Sequence, residues 1–86
     1  MVFIAKILLF GPVSDRLETE ALNIELISRI KTIHDLLVEL GEKGADWQQC
    51  LIPEKLQITV NRQFADATTS ISNSDEIALI SLPGAV

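Results

Sequence analysis

The sequence predicts an α+β fold, a mixed sheet of about four to five strands with one main helix packed on one face. Three observations predict it. The first and last apolar stretches, Val2 to Phe10 and Ile77 to Leu82, are almost continuously aliphatic, as central strands are. Ile33, Leu36, Leu37 and Leu40 recur at i, i+3, i+4 and i+7, which is a single helical stripe. Between these stand two alternating segments: Leu22, Ile24 and Leu26 around Asn23 and Glu25, and Leu56, Ile58 and Val60 around Gln57 and Thr59.

The elements follow in order. Gly11-Pro12 ends the first strand, and the stretch from Gly11 to Ala21 joins it to the second as a hairpin. Thr32 is an N-cap for the helix, with Asp35 three residues on as the acid of a capping box. Gly41 or Gly44 stops the helix. Trp47 and Leu51 indicate a short helical turn before Pro53. Leu56 to Val60 is the third strand. Asn61-Arg62 is a tight turn into a brief extended piece around Phe64. Ser72-Asn73-Ser74-Asp75 is a turn cluster before the last strand. Residues 1–82 then form one domain, and Pro83, Gly84, Ala85 and Val86 form a tail. The last strand is expected parallel to the first at the centre of the sheet. That order and pairing describe the β-grasp, or ubiquitin-like, architecture.

Alternation assigns the faces. Ile7 and Leu9 belong under the helix, which turns Lys6, Leu8 and Phe10 outward. Ile77 and Leu79 point inward, which turns Ala78, Ile80 and Leu82 outward. If the two strands are neighbours, Leu8, Phe10, Ile80 and Leu82 make an apolar patch, and Phe64 can join it. A contiguous patch on so small a domain marks a partner surface.

The chain has 86 residues, of which 48% are hydrophobic and 22% charged, with a formal net charge of -5. That length gives one domain with little core to spare and no room for a deep cavity. The apolar fraction excludes a disordered chain. The acidic balance argues against nucleic acid as a partner and for a basic partner face. A single cysteine, Cys50, excludes an internal disulfide and a cysteine metal cluster, as expected of a cytoplasmic protein. The apolar start is too short to span a membrane and lacks the features of a signal peptide.

No set of side chains supports catalysis by the chain alone. His34 is the only histidine and falls on the polar side of the helix. Cys50 reads as a small core residue. The four glycines stand singly, so no phosphate loop exists. The carboxylates are dispersed, and Ser72 and Ser74 read as turn residues.

Four segments carry a resemblance over the whole chain: Ala5-Lys6-Ile7-Leu8-Leu9-Phe10-Gly11, Thr32-Ile33-His34-Asp35-Leu36-Leu37, Ile58-Thr59-Val60-Asn61-Arg62-Gln63-Phe64 and Asp75-Glu76-Ile77-Ala78-Leu79-Ile80. The sequence resembles the molybdopterin synthase small subunits, sulfur carriers related to the thiamine-pathway carrier and, more distantly, to ubiquitin. The resemblance implies that an activating enzyme adenylates the C-terminal carboxylate with ATP and that it then becomes a thiocarboxylate. It implies that the tail enters the large subunit of the synthase, where sulfur passes to the pterin precursor of the molybdenum cofactor. It also implies a heterotetramer with that subunit and no cofactor held by this chain. Phe10, Phe64 and Ile80 fall where the small subunit meets the large one, and Val86 carries the reacting carboxylate by position. Ala85-Val86 stands where the family has Gly-Gly. This departure motivates a second reading, an interaction module that docks on a partner without carrying sulfur.

Overall fold

Two apolar strands meet at the centre of the sheet. In the computed structural model, which describes residues 3–82, β1 (Ile4–Phe10) runs parallel to β5 (Glu76–Ser81), with Ile7 beside Ile77 and Leu9 beside Leu79. β2 (Ala21–Glu25) adds antiparallel to β1, and β3 (Leu56–Val60) adds antiparallel to β5. β4 (Gln63–Ala65) closes the far edge, so the sheet order is β2-β1-β5-β3-β4. This is the β-grasp arrangement expected from the alternation and the apolar runs.

The core lies between the sheet and α2 (Ile33–Gly41). The predicted stripe of Ile33, Leu36, Leu37 and Leu40 is buried against Ala5, Ile7, Leu9, Ile58, Ile77 and Leu79. Two shorter helices, α1 (Pro12–Leu17) and α3 (Ala45–Cys50), close the end of that layer, and a 3₁₀ turn at Pro53–Lys55 leads into β3.

α1 corrects the reading of residues 11–21 as a plain hairpin connection. The strands do pair antiparallel, but the link between them is helical. Pro12 stands in the first turn, where its missing N–H costs nothing, and Val13 and Leu17, four residues apart, both face the core. Glu18, in the left-handed region at φ 52°, ends the helix. Cys50 is half-buried and packs at the rim of the core, and His34 is exposed on α2 as expected.

Every donor in the first turn of α2 has a partner, which settles why it begins at Ile33. Thr32 Oγ1 accepts from the Asp35 N–H at 3.3 Å, and Asp35 Oδ2 accepts from the N–H groups of Lys31 and Thr32 at 3.0 and 3.1 Å. The capping box predicted from Thr32 and Asp35 is complete. The remaining donors, Ile33 N–H and His34 N–H, bond the carbonyls of Thr69 and Ala67 at 3.0 and 2.9 Å. The loop after β4 thus caps the helix from outside. Asp66 shapes that loop by accepting from Thr68 N–H at 2.8 Å and Thr68 Oγ1 at 2.6 Å.

Both carboxylates are held below their usual value by these bonds. The Lys31 backbone N–H is the main cause for Asp35, and the Thr68 hydroxyl for Asp66. A lowered folded-state value means stability that is present above the ordinary 3.8 and is lost as pH falls through the folded value. Asp35→Asn and Asp66→Asn should therefore flatten the acid limb of a stability-against-pH curve followed by circular dichroism. A limb as steep as in the parent would contradict this account. In the core, Leu79→Ala removes a side chain with 0% exposure and should cost about 2–5 kcal/mol in urea unfolding.

Candidate functional site

Among the described residues, the face of the sheet away from α2 has no helix over it. Register places its side chains in rows. Ala21, Leu8, Ala78, Thr59 and Phe64 are successive partners across all five strands. One row nearer the tail, Phe10, Ile80 and Gln57 are partners. One row the other way stand Asn23, Lys6 and Glu76, a polar border. Leu8, Phe10 and Ile80, which alternation turned outward, therefore share one face, and Phe64 joins them from β4.

Their exposure differs. Phe64 is 83% exposed and Phe10 48%, far above the core residues on the same strands. Leu8 and Ile80 are half-buried because they lie on the two central strands, flanked on both sides. Phe64 sits on the edge strand β4, rather than in a loop, opposite Thr59. The tight turn that presents it is Asn61-Arg62, with both residues at positive φ, 52° and 69°. Such a turn matches the right-handed twist of the strands it joins.

That turn is pinned to the start of β5. Asn61 Nδ2 donates to Asp75 Oδ1 at 2.9 Å, Asn61 Oδ1 accepts from Glu76 N–H at 2.9 Å, and Asn61 N–H donates to the Glu76 carbonyl at 2.7 Å. Asp75 Oδ2 in turn accepts from Ser72 N–H at 2.7 Å. The polar residues Asn61 and Asp75 thus hold the aromatic end of the patch at a fixed place relative to β5.

Leu82 follows β5 directly. It is half-buried, and its N–H donates to the Lys55 carbonyl at 3.0 Å. Pro83, Gly84, Ala85 and Val86 lie outside the described residues. Among the described residues no group of histidine, cysteine and carboxylate side chains could hold a metal ion, and no helix is long and apolar enough to cross a membrane. The site is a sheet face that runs along β5 to Leu82.

Sequence reasoning missed the side chains that support this face from beneath. The bond from Val13 N–H to Ser81 Oγ, at 3.0 Å, joins α1 to the end of β5. Its only trace in the sequence is a serine at an inward position of an otherwise apolar strand.

A family model described as the ThiS family matches residues 7–84. Among curated proteins, comparison finds no match. Several solved structures are similar, among them these three. One is a protein from Pyrococcus furiosus assigned as molybdopterin converting factor subunit 1, with TM-score 0.75, 14% identity, and coverage of 92% of this chain and 97% of that one. Another is the small archaeal modifier protein 1 of Methanosarcina acetivorans, with TM-score 0.77, 17% identity, and coverage of 98% and 97%. The third is Urm1 of Trypanosoma brucei, with TM-score 0.74, 13% identity, and coverage of 96% of each chain. At these identities the likeness is one of fold.

Because Phe64 is mostly solvated, Phe64→Ala should change unfolding free energy by no more than about 0.5 kcal/mol. Urea titration of the variant beside Leu79→Ala checks this. A loss as large as that of the core variant would mean that Phe64 is a packing residue.

Proposed function

The chain belongs to the ThiS family, and from that premise we propose that it is a sulfur carrier serving as the small subunit of a molybdopterin synthase. The observation that carries the reading is the outward face of Leu8, Phe10, Ile80 and Phe64, two adjacent rows of the sheet, with Leu82 directly after β5. A carrier needs a docking face and a reactive end, and it needs no catalytic side chain.

In this reading one oxygen of the terminal carboxylate attacks the α-phosphorus of ATP on an activating enzyme, and pyrophosphate leaves. A hydrosulfide-level donor then attacks the acyl carbon, and AMP leaves with the oxygen. The product is a thiocarboxylate, and no net oxidation takes place. Partners are the activating enzyme and the synthase large subunit, which supply the pockets. A heterotetramer with the large subunit and a cytoplasmic location belong to the same proposal. Leu8, Phe10, Phe64, Ile80 and Leu82 form the contact face, and Val86 carries the activated group, reached through Pro83, Gly84 and Ala85. The P. furiosus neighbour's assignment favours the molybdenum branch over other sulfur transfers.

Mass spectrometry after incubation with the cognate activating enzyme, ATP and sulfide should show one oxygen replaced by sulfur. Absence of both adenylate and sulfur gain would overturn the carrier reading. Binding without transfer would then favour the interaction module suggested by Ala85-Val86. Appending Gly-Gly to the chain tests whether those two residues alone limit activation. Phe10→Asp and Ile80→Lys should each weaken binding to the large subunit more than tenfold, because each buries an unpaired charge at the patch. Calorimetric titration giving the parent affinity would remove the patch from the interface.

A further inference from the structure

Ser81 is the last residue of β5 and continues the inward alternation of Ile77 and Leu79. An apolar side chain is what that position calls for, yet a hydroxyl occupies it. Ser81 Oγ accepts from the Val13 N–H at 3.0 Å, between residues 68 positions apart.

The start of α1 explains the bond. Gly11 holds the N-cap position and has no side chain with which to cap. Pro12 has no N–H, and the Ser14 N–H is satisfied by the Gly11 carbonyl at 3.0 Å. That leaves Val13, which is only 2% exposed. Its N–H would be a buried donor without a partner, which is costly. Gly11, at φ +79°, lies against Ser81, such that a Cβ on it would stand 3.6 Å from the Ser81 Cβ. The missing N-cap of α1 is therefore supplied by β5.

The adjacent residue is fixed on the other side, by the Leu82 N–H on the Lys55 carbonyl at 3.0 Å. Two consecutive residues thus tie the exit of the chain to two different elements. A groove of about 290 Å³ bordered by Arg16, Cys50 and Lys55 runs beside this point, with Ser81 in its wall.

We infer that Ser81 is a positioning residue, which by capping α1 from the end of β5 fixes the direction in which the chain leaves the sheet. The catalytic consequence rests on the sulfur-carrier reading, whereas the clamp itself does not. A short tail that must enter another protein's site carries any swing at its root to its end. A fixed root lowers the entropy that must be lost when the tail is aligned.

The test compares the full chain with Ser81→Ala and Ser81→Thr in two measurements. Amide hydrogen exchange followed by NMR reads Val13 and Leu82. ATP–pyrophosphate exchange with the activating enzyme reads adenylation. In Ser81→Ala, Val13 should exchange about 3- to 30-fold faster, and Leu82 should lose protection with it. kcat should fall several-fold while KM stays within about twofold, because Leu8, Phe10, Ile80 and Phe64 are untouched. Ser81→Thr keeps the hydroxyl and should restore both. A merely structural role would lower the melting temperature and leave kcat alone, which would overturn the positioning role. Unchanged Val13 exchange in Ser81→Ala, or Ser81→Thr behaving like Ser81→Ala, would overturn the clamp. If the parent chain supports no pyrophosphate exchange at all, the carrier reading fails, and the exchange at Val13 and Leu82 alone decides the clamp.

Discussion

The parallel pairing of β1 with β5 joins residues about as far apart as the chain allows, Lys6 with Glu76 and Phe10 with Ile80. A parallel pair cannot be made by a turn, and its connection must cross over the sheet. Everything between the two strands is that crossover: the helical layer, with β2 added at one flank and β3 and β4 at the other. Because β1 and β5 are central, their inward residues Ile7, Leu9, Ile77 and Leu79 lie at 2% exposure or less and anchor α2. Their outward residues have no such cover. The same pairing that makes the core therefore places Leu8, Phe10, Ala78 and Ile80 side by side on the open face.

The division between polar and apolar residues follows from that geometry. Ubiquitin-like domains of this size have one helical layer, enough for one face of a five-stranded sheet. The second face must be polar or partnered. Here its flanking row is polar, with Asn23, Lys6 and Glu76, while its middle and tail-side rows carry two exposed phenylalanines. The polar anchors are spent on shape instead. Asn61 and Asp75 fix the β3–β4 turn, Thr32 and Asp35 fix the start of α2, and Asp66 forms the loop that completes its cap. Each of these polar groups is engaged in holding backbone in place, on the helix cap or at a turn.

Much of this was legible in the sequence because the signals are local. Alternation at Leu22 to Leu26 and Leu56 to Val60, the stripe from Ile33 to Leu40, and the Thr32–Asp35 spacing each lie within a few residues. The outward face needed one step more, the assumption that the first and last strands are neighbours, and their continuous apolarity supplied it. α1 escaped because six residues are too few to show a period, although Pro12 at its start and the Val13–Leu17 spacing are fair signals in retrospect. The capping of α2 by the carbonyls of Ala67 and Thr69 had no signal, since any residue offers a carbonyl. The same holds for Ser81, whose partner is a backbone amide 68 positions away. That Phe64 can join the open face is an expectation without a register, and the Thr59–Phe64 pairing sets it level with Leu8.

The position of β5 has a consequence for how the protein is made. A ribosome releases the chain from its first residue at about 5–20 residues per second. β1 emerges early, as an aliphatic strand whose only partner then within reach is β2. β5 follows every other strand in the sequence, so β1 waits for its inner neighbour across about seventy residues and β3 across fewer than twenty. The fold therefore closes in one late event, when β5 enters between β1 and β3 and covers the inner edge of each at once.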